Sequence, residues 1–209
     1  MLSAIPAIFI ELGFFQETAK LNLPPFLVFF LNVFIGVALT EEALKYLVVR
    51  KKVLNDQEFD EPIDAMLYMI IAALGFVFLE NLLIFLSPKT FLLNFGETLI
   101  LTGFRFISAT FLHALASGTL GFFLALSFFE TRKRTLFLAA GLFLAAFLHG
   151  LYNFAITGPG LIYRPSGAIM IMTDYLRFIL PIIIILGLAF FVSFGFKRLK
   201  KIASVCKIK

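Results

Sequence analysis

Apolar residues in this chain come in continuous runs long enough to cross a lipid bilayer, and no other feature restricts its fold so strongly. A spanning helix needs about 20 largely apolar residues, within about 17–25. Six runs approach or meet that length: Met1–Phe15, Pro24–Val49, Ile63–Leu86, Glu97–Phe129, Thr135–Thr157 and Tyr175–Phe196. The first is short. It has neither a basic leading region nor a small-residue cleavage site, so it reads as a helix rather than a removable signal peptide. The fourth is longer than a straight crossing needs, which predicts a helix that tilts, breaks or projects into water. A membrane β-barrel would instead alternate polarity over segments of about ten residues. The expected class is therefore all-α, a polytopic transmembrane bundle forming one domain over residues 1–209.

Composition agrees. Of 209 residues, 61% are hydrophobic and 15% charged, against about 45–50% and about 25% in soluble domains. The 29 Phe, with no Trp, suit packing and lipid-facing surface. Net charge is +5, yet the cations gather at the ends of apolar runs, which excludes a nucleic-acid partner. Arg50, Lys51, Lys52, Arg132, Lys133, Arg134, Lys197, Arg198, Lys200, Lys201, Lys207 and Lys209 fall on the side reached after even-numbered helices. Lys20, Lys89 and Arg164 fall on the other, with Arg177 near its edge. The positive-inside rule then puts both termini in the cytoplasm of a multi-pass protein in the cell membrane. The acidic stretch Asn55–Glu61 fits a loop between helices 2 and 3. The lone Cys206 excludes an internal disulfide.

Against that apolar background, several polar residues stand out. A charge at the bilayer centre costs about 2.5–3.5 kcal/mol on insertion scales, so it faces a bundle interior or a wet cavity. Glu41, Glu42, Lys45, Glu80, Asn81, Arg105, His113, Ser117, His149 and Asn153 lie in the helical runs. Lys45 is four residues from Glu41 and three from Glu42, so it can pair with either. The two carboxylates are adjacent and point about 100° apart, leaving one for a cation and one for a cavity. His113 shares a face with Ser117, and His149 with Asn153, while Gly118 and Gly121 permit close helix approach. Lys45 and Arg105 read as counter-ions, and Asn81 and Ser117 as interhelical hydrogen-bonders. Glu11 reads as interfacial, and Asp64 and Tyr68 as markers of the start of helix 3.

This set can hydrolyse a peptide bond. A carboxylate taken out of water holds a proton more readily and suits a general base. Histidine relays protons, and an Asn amide can donate to the oxyanion. Glu41 or Glu42, with His113, His149 and Asn153, supplies each part; no serine elbow, catalytic cysteine context or HExxH run is present. A metal-free glutamate mechanism is the expectation. Zn²⁺ held by two His and a carboxylate is the alternative, with Glu42, Glu80, His113 and His149 as candidates. The same buried Glu and His could also serve a proton-coupled transporter, or be paired off inside an inert scaffold.

Four motifs in order, Glu41-Glu42-Ala43-Leu44-Lys45, Gly75-Phe76 through Glu80-Asn81, Arg105 with His113 through Ser117-Gly118 and Gly121, and His149 through Asn153, resemble the PrsW family of intramembrane proteases. That family resembles the wider CAAX-protease and bacteriocin-processing (CPBP) group, which also has a Glu-Glu helix and two later His helices. Glu80 stands where that group places an aromatic-led motif. The resemblance implies an endopeptidase acting on a single-pass membrane protein, with site-1 cleavage of an anti-sigma factor as the family's associated role. It assigns the paired catalytic glutamates to Glu41 and Glu42, the two histidines to His113 and His149, and the oxyanion donor to Asn153. Depth poses a conflict: at about 1.5 Å per residue, Glu80 is ~24 Å from the cytoplasmic end of helix 3, but Glu42 only ~10 Å from that of helix 2. A shared site therefore requires tilt, a longer helix 2, or a cavity joining the two levels.

Overall fold

The computed structural model describes residues 3–54, 56–87, 95–157 and 168–202, without the side chains of 95, 97–102, 104, 105 and 168–178. The readings of Asn55, Lys89, Arg105 as a counter-ion, Arg164, Arg177 and the chain beyond 202 lie outside the described residues. Among the described residues six long helices follow one another: α1 Ala4–Lys20, α2 Pro25–Lys52, α3 Pro62–Phe85, α4 Phe95–Phe129, α5 Arg134–Thr157 and α6 Ala168–Leu199.

Local chemistry sets their ends. Pro25 and Pro62 occupy first-turn positions, where a missing N–H costs nothing. The Asp64 carboxylate accepts hydrogen bonds from the backbone N–H groups of Asp60 and Glu61, at 3.1 and 2.7 Å. Asp64 is thus a cap for α3, consistent with its position at the start of that helix. α1 extends to Lys20, five residues past the expected end, and α6 begins seven residues before the expected start.

Among the described residues, five helices are long and apolar enough to cross a membrane. α1, at 17 residues, spans about 25 Å, just short of a core of about 30 Å. It lies against α2 through a 2.7 Å hydrogen bond in which the Thr18 hydroxyl donates to Asn32 Oδ1. α2 is one continuous rod, but residues Asn32–Leu39 wind as a π-helix, with the wider i→i+5 repeat.

α4 is the central post. Two-thirds of its crossing stretch is buried, against a third or less in each of the other four. A lower core gathers Val49, Met66, Met69, Leu120, Leu124 and Val192 from four helices. An upper one joins Leu112, Tyr152, Ile184 and Leu188 of α4, α5 and α6, and Ala4 and Ala7 of α1 meet Phe76 of α3. Buried polar residues of α2, α4 and α5, among them Glu41, Glu42, Lys45, His113, Ser117 and His149, complete the interior.

Gly121 sets the α3–α4 spacing. A Cβ there would sit 2.7 Å from both Ala65 O and Met66 Cα, backbone atoms that cannot rotate aside. Gly121→Ala should therefore cost about 1–3 kcal/mol through overpacking, outweighing the gain in helix propensity of about 1 kcal/mol. A lowered unfolding midpoint in detergent would register it; an unchanged or raised one would show that the helices separate freely.

Candidate active site

Glu42 is fully buried, and three groups converge on its carboxylate. Lys45 Nζ, one turn on, donates to Oε1 at 2.7 Å. Ser117 Oγ of α4 donates to Oε2 at 2.6 Å. His149 Nδ1 of α5 is hydrogen-bonded to Oε1 at 3.1 Å. Since a carboxylate only accepts, the network places a His149 proton on Nδ1, and in the neutral ring Nε2 then keeps its lone pair. That Nε2 lies 3.9 Å from Glu41 Oε2. Glu42 thus ties α2 to α4 and α5 and fixes the His149 ring.

Lys45 is also fully buried and serves more than one acceptor. Its Nζ is 2.7 Å from His113 Nδ1 and 3.5 Å from Glu41 Oε2. An ammonium has protons to give and no lone pair, so His113 Nδ1 accepts. His113 Nε2, on the far side of the ring, lies 3.1 Å from Glu80 Oε2. Glu80 therefore reaches the site through His113. His113 and a cavity lined by both Glu41 and Glu80 bridge the two levels; the continuation of α2 to Lys52 adds only about 4.5 Å. The His113 and His149 rings meet edge to face at 4.6 Å.

Phe76 belongs to the third-helix motif, but the sequence alone assigns it no role. Its ring stacks on His113, with centroids 5.9 Å apart, and Lys45 Nζ stands 4.6 Å from its centroid. It caps the ammonium and separates the polar cluster from the apolar contact with α1. Its place four residues before Glu80, on the same face of α3, is the one signal that could have found it.

Beside this cluster is a cavity of about 430 Å³, within the range of small-molecule and cofactor sites. Glu41, Glu80 and Asn153 line it together with apolar residues of α1, α2 and α5. Glu42, His113 and His149 are buried and absent from its lining. The carboxylate facing the cavity is thus Glu41. It is only 4% exposed, and its Oε2 has no hydrogen-bond partner among the described residues. Glu11 also lines this cavity, which corrects its reading as an interfacial residue: the face of α1 that carries it turns inward. Asn81, read from sequence as an interhelical hydrogen-bonder, is buried, with Nδ2 lacking a hydrogen-bond partner among the described residues.

Glu41, His113 and His149 each present a donor atom within 4.8 Å of the others. One carboxylate and two imidazoles are a recognised donor set for catalytic zinc. The orphaned Glu41 Oε2 and the open His149 Nε2 suit such an ion, and the Glu42 hydrogen bond on Nδ1 is the support a ligating His normally has. Glu42, a candidate metal ligand by residue type, is instead committed to Lys45, Ser117 and His149.

Several known proteins share much of this sequence. Protease PrsW of Geobacillus kaustophilus is 37% identical over 125 residues, covering 60% of this chain and 52% of that protein. Protease PrsW of Bacillus subtilis is 28% identical over 173 residues, 82% of this chain and 67% of its own. That of Oceanobacillus iheyensis is 30% identical over 132 residues, 62% and 56%. The matches thus span about half to two-thirds of these relatives' length. No solved structure matches. Residues 1–192, which include all four motifs and every side chain of the cluster, match the family described as PrsW family intramembrane metalloprotease. The chain belongs to the PrsW family.

Proposed function

We propose that this protein is an intramembrane endopeptidase that cuts a membrane-anchored protein at the cavity beside Glu41. The observation that carries the reading is the unsatisfied Glu41 Oε2, buried at a cavity wall and 3.9 Å from the open His149 Nε2. The nearest cation to that oxygen, Lys45 Nζ at 3.5 Å, is beyond good hydrogen-bond length; a buried acceptor left without a hydrogen bond costs about 1–3 kcal/mol, and a site built for a ligand or water explains why it is retained.

The chain's own residues divide the work. Glu42, Lys45 and Ser117 form a fixed polar support that holds His149 with Nε2 toward Glu41. Glu41, His113 and His149 are the residues that would hold a divalent cation, and such an ion supplies Lewis acidity and a bound water of pKa about 7. Glu80, in the cavity and 3.1 Å from His113 Nε2, is placed to take a proton from water and return it to the leaving amine. Asn153, also in the cavity, can donate its amide N–H to the developing oxyanion. At His113 Nδ1 the Lys45 ammonium and a cation are alternatives, so Lys45 tunes how the ring is used.

With the basic loops cytoplasmic, both termini are cytoplasmic and the cavity lies in the opposite half of the bundle. Residues 29–41 of α2 and 153–157 of α5 are the parts of those helices remote from the basic loops. Cleavage on that side suits a site-1 cut in a single-pass substrate such as an anti-sigma factor, the role associated with the family.

The test is cleavage of a single-pass reporter by the protein in liposomes, before and after stripping with a membrane-permeant chelator. We expect activity to fall at least about 100-fold and to return with Zn²⁺. Chelator-resistant cleavage would remove the ion from the reading and leave Glu41 as general base. No cleavage of any reporter would overturn the reading itself.

A further inference from the structure

Glu11 has no part in the reaction described above, yet it lines the same cavity. On α1 the lining residues Ala4, Ile8, Glu11 and Phe15 follow at intervals of four, three and four, a single stripe of the helix. Glu11 is thus the one charge in an otherwise apolar stripe. The other carboxylate of α1, Glu17, is exposed and paired with Lys20 at 2.6 Å. Glu11 has no hydrogen-bond or ion-pair partner among the described residues, and no basic side chain is among the described lining. Glu41, a second carboxylate of the lining, is nine-tenths buried; its Oε2 accepts no hydrogen bond among the described residues, and Lys45 Nζ comes no nearer than 3.5 Å. A carboxylate set in an apolar wall is costly unless a cation or donor comes to it. No residue of the described lining supplies that cation, so the cavity suits a ligand that brings one.

We propose that Glu11 selects the substrate, receiving a Lys or Arg side chain that lies within about two residues of the scissile bond. The inference rests on the peptidase reading of the cavity and names its substrate class: an apolar membrane segment with a basic residue next to the cut. The apolar side chains Ile8, Phe15, Phe29 and Val33 accommodate the segment, and Glu11 takes the charge. Glu11 is a specificity residue, remote from bond-making.

Reporters that differ only in carrying Lys, Gln or Glu at the two positions on each side of the cut test this. In liposomes we expect kcat/KM to favour the best Lys reporter by about tenfold over its Gln counterpart, mainly through KM, as for one charge pair. Glu11→Gln should shrink that preference to within about twofold, and Glu11→Lys should turn it toward the Glu reporter. A merely structural Glu11 would lower all reporters together. In a second arm, Glu41→Gln protein is photocrosslinked to the same reporters, and the yield should follow the same charge order and lose it when Glu11→Gln is added. Cleavage without charge preference at any of the four positions, or a preference that survives Glu11→Gln, overturns the inference while the peptidase reading stands. If nothing is cleaved, the peptidase reading fails, and the crosslinking arm decides Glu11: equal yields overturn it, and charge-ordered yields retain it as a binding determinant.

Discussion

Glu41→Gln should lower kcat by about 10²–10⁴-fold, the range for loss of a positioned acid–base group, with little change in KM or in stability. The substitution preserves shape, and Oε2 has no hydrogen bond to lose, only the longer 3.5 Å contact with Lys45 Nζ. It stands where the cavity meets the cluster, and there an amide can neither accept a proton as a carboxylate does nor hold a cation as well. Single-turnover cleavage of a reporter in liposomes, with the unfolding midpoint taken on the same sample, separates chemistry from folding. Glu42→Gln makes the contrast. It too should abolish cleavage, but with a lowered midpoint, because three groups lose a charged partner. If Glu41→Gln retained activity within a few-fold while Glu42→Gln lost it, the two carboxylates would have to exchange roles.

Lys45→Met should be the most destabilising single change in the cluster, by about 3–5 kcal/mol, the cost of leaving a buried charge without its partner. Methionine fills much of the aliphatic volume, so little of the loss would come from packing. What goes is the ammonium 2.7 Å from both Glu42 Oε1 and His113 Nδ1 and 3.5 Å from Glu41 Oε2. Ser117 and His149 remain on Glu42 but cannot balance its charge. Adding Glu42→Gln removes the stranded carboxylate, so the double variant should recover a large part of the loss and the two effects should be strongly non-additive. Unfolding midpoints of the four proteins in one detergent give the coupling. Additive losses would mean that the pair is well solvated, contrary to its complete burial.

Much of this is legible from residue costs. The six helices follow from apolar runs, since bilayer thickness turns length into topology. The cluster follows from charges that lipid will not tolerate alone. Within it, the Lys45 pairing is constrained by spacing along one helix, because i,i+3 and i,i+4 neighbours share a face. The division between Glu41 and Glu42 is not, since it depends on which helices pack on which side of α2. The joining of Glu80 to His113 is hidden for the same reason: a distance along one helix does not give height relative to another. Glu11 is misread from sequence because its position near a helix edge says nothing of the wall that α1 builds against α2. Phe76 passes as one apolar residue among many, its stacking on His113 being a tertiary event.

The π-helical segment Asn32–Leu39 immediately precedes Thr40, Glu41 and Glu42. In a wider turn each residue advances the chain around the axis by less than the ~100° of an α-turn. The azimuth of the two glutamates is therefore set by the winding of a stretch that contains neither of them. Phe34, within that stretch, packs on Gly150, where a Cβ would lie 2.6 Å from its ring. The neighbour of His149 thus acts as the detent that holds the winding in place. A side chain added at Gly150 would press on Phe34 and so on the winding of α2, reaching the two glutamates from outside the cluster.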